Sequence, residues 1–186
     1  SEMCIRDRIC TVVSQESIGA GIYSMWIQTD RIAADAKPGQ FVSLYTNDKS
    51  KILPRPISLC EIDKENGRLH LVYRVTGQGT GTDEFSQMKA GDTIPVLGPL
   101  GNGFPVEKAE GKKVFLMGGG IGVPPILELA KQGKTILINT LEIPEIQKVA
   151  DYCEVFYNGE IIKILEHQEI DEMTVMMYST NAAQAE

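Results

Sequence analysis

The chain has 186 residues, 42% of them hydrophobic and 23% charged, with a formal net charge of −7. These proportions are those of a soluble globular protein with one large or two small domains. The negative balance argues against nucleic acid as a partner, and no run approaches the roughly 20 apolar residues that span a bilayer.

Residues 1–8, "SEMCIRDR", have no apolar period and no turn chemistry leading into the next segment. They are expected to be a non-native tail outside the fold. From Ile9 to about Pro105 the chain reads as short strands: "ICTVVSQ", "GIYSMWIQT", "GQFVSLYT", "PISLCEI", "RLHLVYRV" and "DTIPVLG". Each is rich in β-branched or aromatic residues, and "KPGQ", "KENG" and "KAGD" punctuate them. Six strands of this length predict a small closed antiparallel barrel over residues 9–105. One short helix, about Asp83 to Met88, interrupts the series.

Inside the barrel region "LPRPISL" places Arg55 between two prolines. The following proline holds Arg55 in β or polyproline geometry, so its side chain leaves a stiff backbone. A polyproline period of three would bring Arg55 and Ser58 to one side. A fixed guanidinium beside a hydroxyl suits a phosphate and a polar ring atom of one ligand, while an edge strand with a solvated arginine is the plainer alternative. In "LVYRVTGQGTGTDEF", Tyr73 shares a face with Leu69, Leu71 and Val75, and Arg74 points the other way. Gly77, Gly79 and Gly81 then alternate with polar residues before a helix, with Thr82 as candidate N-cap. Such a loop offers backbone N–H groups to an anion, although Asp83 and Glu84 would repel one.

After "GPLGNGFP" the pattern changes, and a second domain is expected over residues 111–186. "KVFLM" reads as a strand covered on both faces, "PPILELAKQ" as a helix, "KTILIN" as a strand, "PEIQKVADY" as a helix and "CEVFYN" as a strand. This alternation predicts a parallel sheet. The glycines of "MGGGIGVPP" stand at the strand-to-helix turn, but Val123 falls where the third glycine of a dinucleotide fingerprint belongs. Cys4, Cys10, Cys60 and Cys153 show no metal-ligand spacing, and reduced thiols are expected. His70 and His167 are isolated in the sequence and receive no catalytic role.

Together, "RPIS", "VYR", "GQGTGT", "GPLGNGFP" and "MGGGIGVPPILELA" resemble the ferredoxin-reductase-like flavoproteins, and within them the electron-transfer subunits of two-subunit NAD-dependent dihydroorotate dehydrogenases. The resemblance runs over roughly residues 9–138. It implies a six-stranded Greek-key FAD-binding barrel followed by a shortened nucleotide-binding α/β domain. It also implies that Arg55, Pro56, Ile57 and Ser58 hold FAD, with Arg55 on the pyrophosphate and Ser58 near the reactive edge of the ring. Val72, Tyr73 and Arg74 would line the flavin and its ribityl chain, and Gly79 and Thr80 would cap the pyrophosphate. Gly118, Gly119, Gly120 and Gly122 would receive NAD transiently. The implied partner is an FMN-binding dihydroorotate dehydrogenase catalytic subunit, and the implied setting is pyrimidine biosynthesis in the cytoplasm.

The sequence departs from this family after Asn139. The four clustered cysteines that bind the family's 2Fe–2S cluster have no counterpart, so no metal centre is expected in this chain. From Glu142 onward ten acids face two lysines, which disfavours a dinucleotide and NADP above all. NAD is therefore expected as a weak or lost redox partner. Two alternatives stay open: a ferredoxin- or sulfide-type NAD(P)H oxidoreductase of the same superfamily, and a flavin-binding remnant that only docks a partner.

Overall fold

The computed structural model describes residues 6–109, 116–131, 136–138, 147 and 150–180. The chain divides into two units, residues 1–137 and 138–186.

The first unit opens with six strands: β1 (Arg6–Gly19), β2 (Ile22–Gln28), β3 (Phe41–Leu44), β4 (Arg55–Asp63), β5 (Arg68–Arg74) and β6 (Thr93–Leu100). They close into a barrel in the order β1-β2-β5-β4-β3-β6, with antiparallel pairing throughout. The crossover from β2 to β5 makes the barrel a Greek key and leaves no open edge. The expected six-stranded barrel is therefore present. Its first strand reaches back to Arg6, which pairs with Gly98. Arg6, Asp7 and Arg8, set apart with the tail on sequence grounds, thus belong to the ladder.

Strand periodicity explains the core. On β5, Leu69, Leu71 and Tyr73 are buried while Arg68 and Arg74 are exposed, the alternation of a strand with one dry face. Met25 and Ile27 from β2, Val42 and Leu44 from β3, Leu59 from β4, and Ile94 and Val96 from β6 fill the same interior. Each such side chain contributes about 1.5–3 kcal/mol on leaving water. Truncating Leu71, which is fully buried, to Ala should cost about 2–5 kcal/mol.

Two short helices plug the barrel. The helix α1 (Asp30–Asp35), not evident in the sequence pattern, buries Ile32 and Ala33. The helix α2 (Gly81–Ser86) begins two residues before the expected Asp83 and buries Phe85, whose ring meets Tyr73 edge-on at 6.3 Å. Its N-cap is Thr80, not Thr82: the Thr80 hydroxyl accepts from the Asp83 N–H. Thr82 lies inside the first turn, nearly buried, and its hydroxyl accepts the Thr76 N–H at 3.0 Å.

Beyond the barrel come β7 (Leu116–Gly118), α3 (Pro124–Lys131) and β8 (Ile136–Ile138), with β7 and β8 side by side in a two-stranded sheet. The strand, helix and strand expected after the barrel are present, and up to residue 137 they fall in the first unit. The helix expected over 144–152 lies outside the described residues apart from 147 and 150–152, as does the expected boundary at Gly111.

In the second unit β9 (Tyr152–Tyr157) does not continue a parallel alternation. It pairs antiparallel with β10 (Glu160–Glu166) across a two-residue turn. Asn158 and Gly159 both have positive φ, at 49° and 85°. That is the turn whose twist matches a hairpin, and Asn-Gly is its preferred sequence. The helix α4 (Glu172–Ser179) follows, with the Asp171 carboxylate accepting from the Thr174 N–H at 3.0 Å. Val155, Leu165 and Ile170 form this unit's small core.

Candidate functional site

The site is built on β4, β5 and the loops that follow β5 and β7. In β4 the backbone pairs with β3 from Arg55, opposite Leu44, to Ser58, opposite Phe41. A paired strand has period two, so Ser58 shares a face with Pro56, and Arg55 with Ile57. The period of three that would have aligned Arg55 with Ser58 is thereby corrected: the ladder overrides the polyproline preference. Pro56 and Ser58 are exposed on the outward face, while Ile57 is buried in the barrel core.

On β5 the same rule separates the "VYR" triplet. Arg74 is exposed and Val72 half-buried on the outward side. Ser58 and Val72 stand one residue beyond the paired Leu59 and Leu71, so the two outward faces are continuous. Tyr73 turns inward and is 1% exposed. Its hydroxyl donates to Gln15 Oε1 at 2.8 Å, and its ring stacks on Tyr23 at 5.9 Å. Burial raises its phenol pKa well above the ordinary value of 10.0. Tyr73 is thus a neutral core residue, and only its backbone can reach the outward face.

The loop after β5 is held by its own hydroxyls. Thr80 Oγ1 donates to the Gly77 carbonyl at 2.7 Å, and the Thr82 hydroxyl lies 3.1 Å from those of both Thr76 and Thr80. Gly77 and Gly79 have φ of 146° and 75°, which side-chain-bearing residues rarely adopt. The Gly79 N–H donates to Asp83 Oδ2 at 2.7 Å, so a carboxylate already sits on the donor that sequence reasoning assigned to an anion.

The fold brings this loop to Arg55. A Cβ on Gly81 would stand 3.1 Å from Arg55 Nε, 3.3 Å from Arg55 Cγ and 3.1 Å from Thr46 Cγ2. The half-buried guanidinium spends one of its five donors on the Leu53 carbonyl at 3.3 Å. Gly81 and Thr46 were not among the expected site residues. The third glycine of "GQGTGT" was the available signal, but only the contact explains it.

The second glycine loop starts at the end of β7. Gly118 faces Ile126 of α3: an added Cβ would lie 2.7 Å from Ile126 Cδ1. Gly119 is extended, and Gly120–Gly122 form one tight turn in which Gly120 has φ of 51°. This turn lies beside β5, and α3 packs on β4. The expected residues fall in several places: Arg55, Gly79 and Thr80 at one corner, Pro56, Ser58, Val72 and Arg74 on the outward sheet face, and the 118–122 loop against β5. Ile57 and Tyr73 lie beneath, in the core.

The arrangement fits a long anionic ligand with a flat apolar part. It offers a fixed guanidinium, a left-handed glycine with open space above it, and a shallow sheet face bordered by a backbone turn. The oxidoreductase FAD-binding domain family matches residues 9–104. The protein named dihydroorotate dehydrogenase B (NAD(+)), electron transfer subunit, from Streptococcus mutans is 47% identical over 123 residues, covering 66% of this chain and 46% of that protein. The protein of the same name from Geobacillus thermodenitrificans is 40% identical over 157 residues, covering 83% of this chain and 59% of that protein. The chain spans about half the length of the curated relatives it matches. Among solved structures, an NADH-dependent reduced ferredoxin-NADP oxidoreductase superposes with a TM-score of 0.57 at 25% identity, over 90% of this chain and 54% of that one. A ferredoxin NADP+ reductase from Neisseria gonorrhoeae gives a TM-score of 0.59 at 20% identity, over 72% of this chain and 56% of that one, and supports the fold alone.

Proposed function

The chain belongs to the oxidoreductase FAD-binding domain family, and on that premise we propose that it binds FAD across the outward face of β4 and β5 and passes electrons between this flavin and NAD. Arg55 would hold the pyrophosphate through charge-assisted hydrogen bonds, and Gly79 and Thr80 would cap it. Pro56 and Ser58 face the ring system, with the Ser58 hydroxyl near its reactive edge. Val72, Arg74 and the backbone of Tyr73 line the ring and the ribityl chain, while Ile57 supports them from the core. FAD, when bound, accepts a hydride and releases electrons singly, and the protein orients it and shields it from water. The Gly118, Gly119, Gly120 and Gly122 loop receives the nicotinamide nucleotide at the sheet edge. In this reading residues 9–105 are the flavin domain, extended by Arg6–Arg8 of β1, and 111–186 a nucleotide domain. The partner is an FMN-binding dihydroorotate dehydrogenase catalytic subunit, and the complex works in the cytoplasm. No helix among the described residues is long and apolar enough to cross a membrane.

The observation that carries this reading is the contact of Arg55 with Gly81, which joins two separately recognisable segments, "RPIS" and "GQGTGT", at one corner. The test is to reconstitute the protein with FAD and record its visible spectrum after gel filtration. Co-eluting flavin absorbance supports the proposal, and colourless protein overturns it. Mixing the flavin-loaded protein with NADH and NADPH by stopped flow then tests the nucleotide. Slow bleaching, weaker still with NADPH, is the expected result given the ten acids after Asn139.

A further inference from the structure

The strand that begins with Arg55 carries a second set of contacts at its other end, and the flavin reading leaves them unused. Glu61 Oε1 lies 2.5 Å from Nζ of Lys131, the last residue of α3. The next backbone N–H, that of Ile62, donates to Glu128 Oε2 at 3.4 Å, three residues earlier in α3. The strand thus offers an acid to a base on the helix, and the helix offers an acid to an N–H on the strand. Ile126 and Leu129, also three residues apart, are buried beside them, so polar and apolar contacts come from adjacent stripes of one helix.

The other oxygen of Glu61 lies 3.8 Å from Nδ1 of His70 on β5, a buried atom with no hydrogen-bond partner. His70 Nε2 is 2.8 Å from the Ser24 hydroxyl, and the ring stacks flat on Trp26 at 4.6 Å and 5°. Burial lowers the His70 pKa, and the Glu61 carboxylate opposes that shift less strongly. The charged groups around the ring are Glu61 on β4, Lys131 on α3 and Glu16 on β1, with Glu128 beyond them near Cys60. With His70 neutral, Lys131 is the cation that Glu61 holds.

We propose that Glu61 and Lys131 are positioning residues that hold α3, and the glycine turn leading into it, in register with the strand that begins at Arg55. The inference rests on reading the β4–β5 face as a flavin site and residues 118–122 as a nucleotide loop. The mechanism is geometric: one strand carries the flavin contacts at its start and the helix clamp at its end, so the clamp sets where the loop stands along the sheet. Small errors in such placement are costly for transfer between two bound groups. The pair is partly exposed, so its effect is modest, about two- to fivefold.

The test uses near-isosteric variants of the full chain. Glu61→Gln and Lys131→Met should raise amide hydrogen exchange across residues 126–131 about two- to fivefold. Lys131→Arg should keep the wild-type rate, and the double variant should be no faster than either single one. With FAD bound, the flavin spectrum should be unchanged, while the NADH concentration for half-maximal flavin reduction rises by a similar factor in the single variants. Unchanged exchange in Glu61→Gln, or loss in Lys131→Arg equal to that in Lys131→Met, overturns the proposal. Wild-type protein that stays colourless with FAD yet shows the pair-dependent exchange supports the clamp and sinks the flavin reading alone.

Discussion

Gly81 lets Arg55 lie close: Nε of Arg55 is 3.1 Å from where a Cβ at position 81 would stand, so any side chain there would press the arginine aside by a few tenths of an ångström. The glycine therefore acts as part of the arginine's binding surface as much as a helix start. Replacing Arg55 with Ala removes a charge-assisted phosphate contact worth about 1.5–3 kcal/mol. FAD affinity should fall on the order of tenfold or more. Gly81→Ala should lower it in the same direction by displacing the guanidinium, with little change in thermal stability. A fluorescence titration of FAD checks both, and wild-type affinity in either variant would contradict the assignment.

Asp83 competes with the ligand for the Gly79 N–H. Its carboxylate accepts that donor at 2.7 Å and places a negative charge beside the expected pyrophosphate. Asp83→Asn keeps an acceptor but removes the charge. FAD should bind a few-fold more tightly, while the loss of an acid in the first turn of α2 costs about 0.3–1 kcal/mol of stability. Weaker FAD binding in Asp83→Asn would show that the carboxylate organises the loop for the ligand instead.

Packing at the second glycine loop gives a paired prediction. Gly118→Ala drives a methyl to 2.7 Å from Ile126 Cδ1, the free end of a side chain that can turn aside, and should cost about 1 kcal/mol, the low end of overpacking. Ile126→Val removes that Cδ1 and should restore part of the loss in the double variant. Additive destabilisation in urea unfolding would show that the two residues do not meet.

His70 imposes a pH dependence with a definite sign. Its pKa is lowered in the fold from the ordinary 6.5, chiefly by burial. On acidification the unfolded chain binds this proton first, so stability falls with falling pH. The contribution is complete above about pH 6.5 and is lost as pH drops through the folded value. His70→Phe keeps the stack on Trp26 and removes the titration. Its melting temperature should vary less between pH 5 and 7 than that of the wild type. Identical slopes would remove His70 from the account.

Cys60 should resist thiol reagents. It is 2% exposed, and burial, reinforced by Glu61, pushes its thiol up to about 12. Hardly any thiolate exists at pH 8, and the thiolate is the reactive form. Among the cysteines of the described residues, Cys153, raised less and only half-buried, should label first in native protein. Rapid labelling of Cys60 without denaturant would mean that the seam between β4 and α3 opens readily.

The sequence by itself determined the six barrel strands and where the chemistry-bearing residues lie along them. Alternation in "RLHLVYRV" already placed Tyr73 with the core leucines and Arg74 outside, because side-chain direction in a strand is local. It also held one signal that went unused: "YNGE" is the Asn-Gly turn that makes β9 and β10 a hairpin instead of part of a parallel sheet. Tertiary structure decided the rest. Pairing with β3 made "RPIS" a strand of period two and parted Arg55 from Ser58, because the ladder's hydrogen bonds outweigh the local preference set by two prolines. The choice of Thr80 over Thr82 as N-cap followed from the burial of Thr82 against Thr76, a contact of the folded loop. The meeting of Arg55 with Gly81, and of Glu61 with Lys131, required the barrel to close and α3 to pack on β4. Such contacts join residues 26 and 70 positions apart, and nothing in the local propensity of either partner encodes the other.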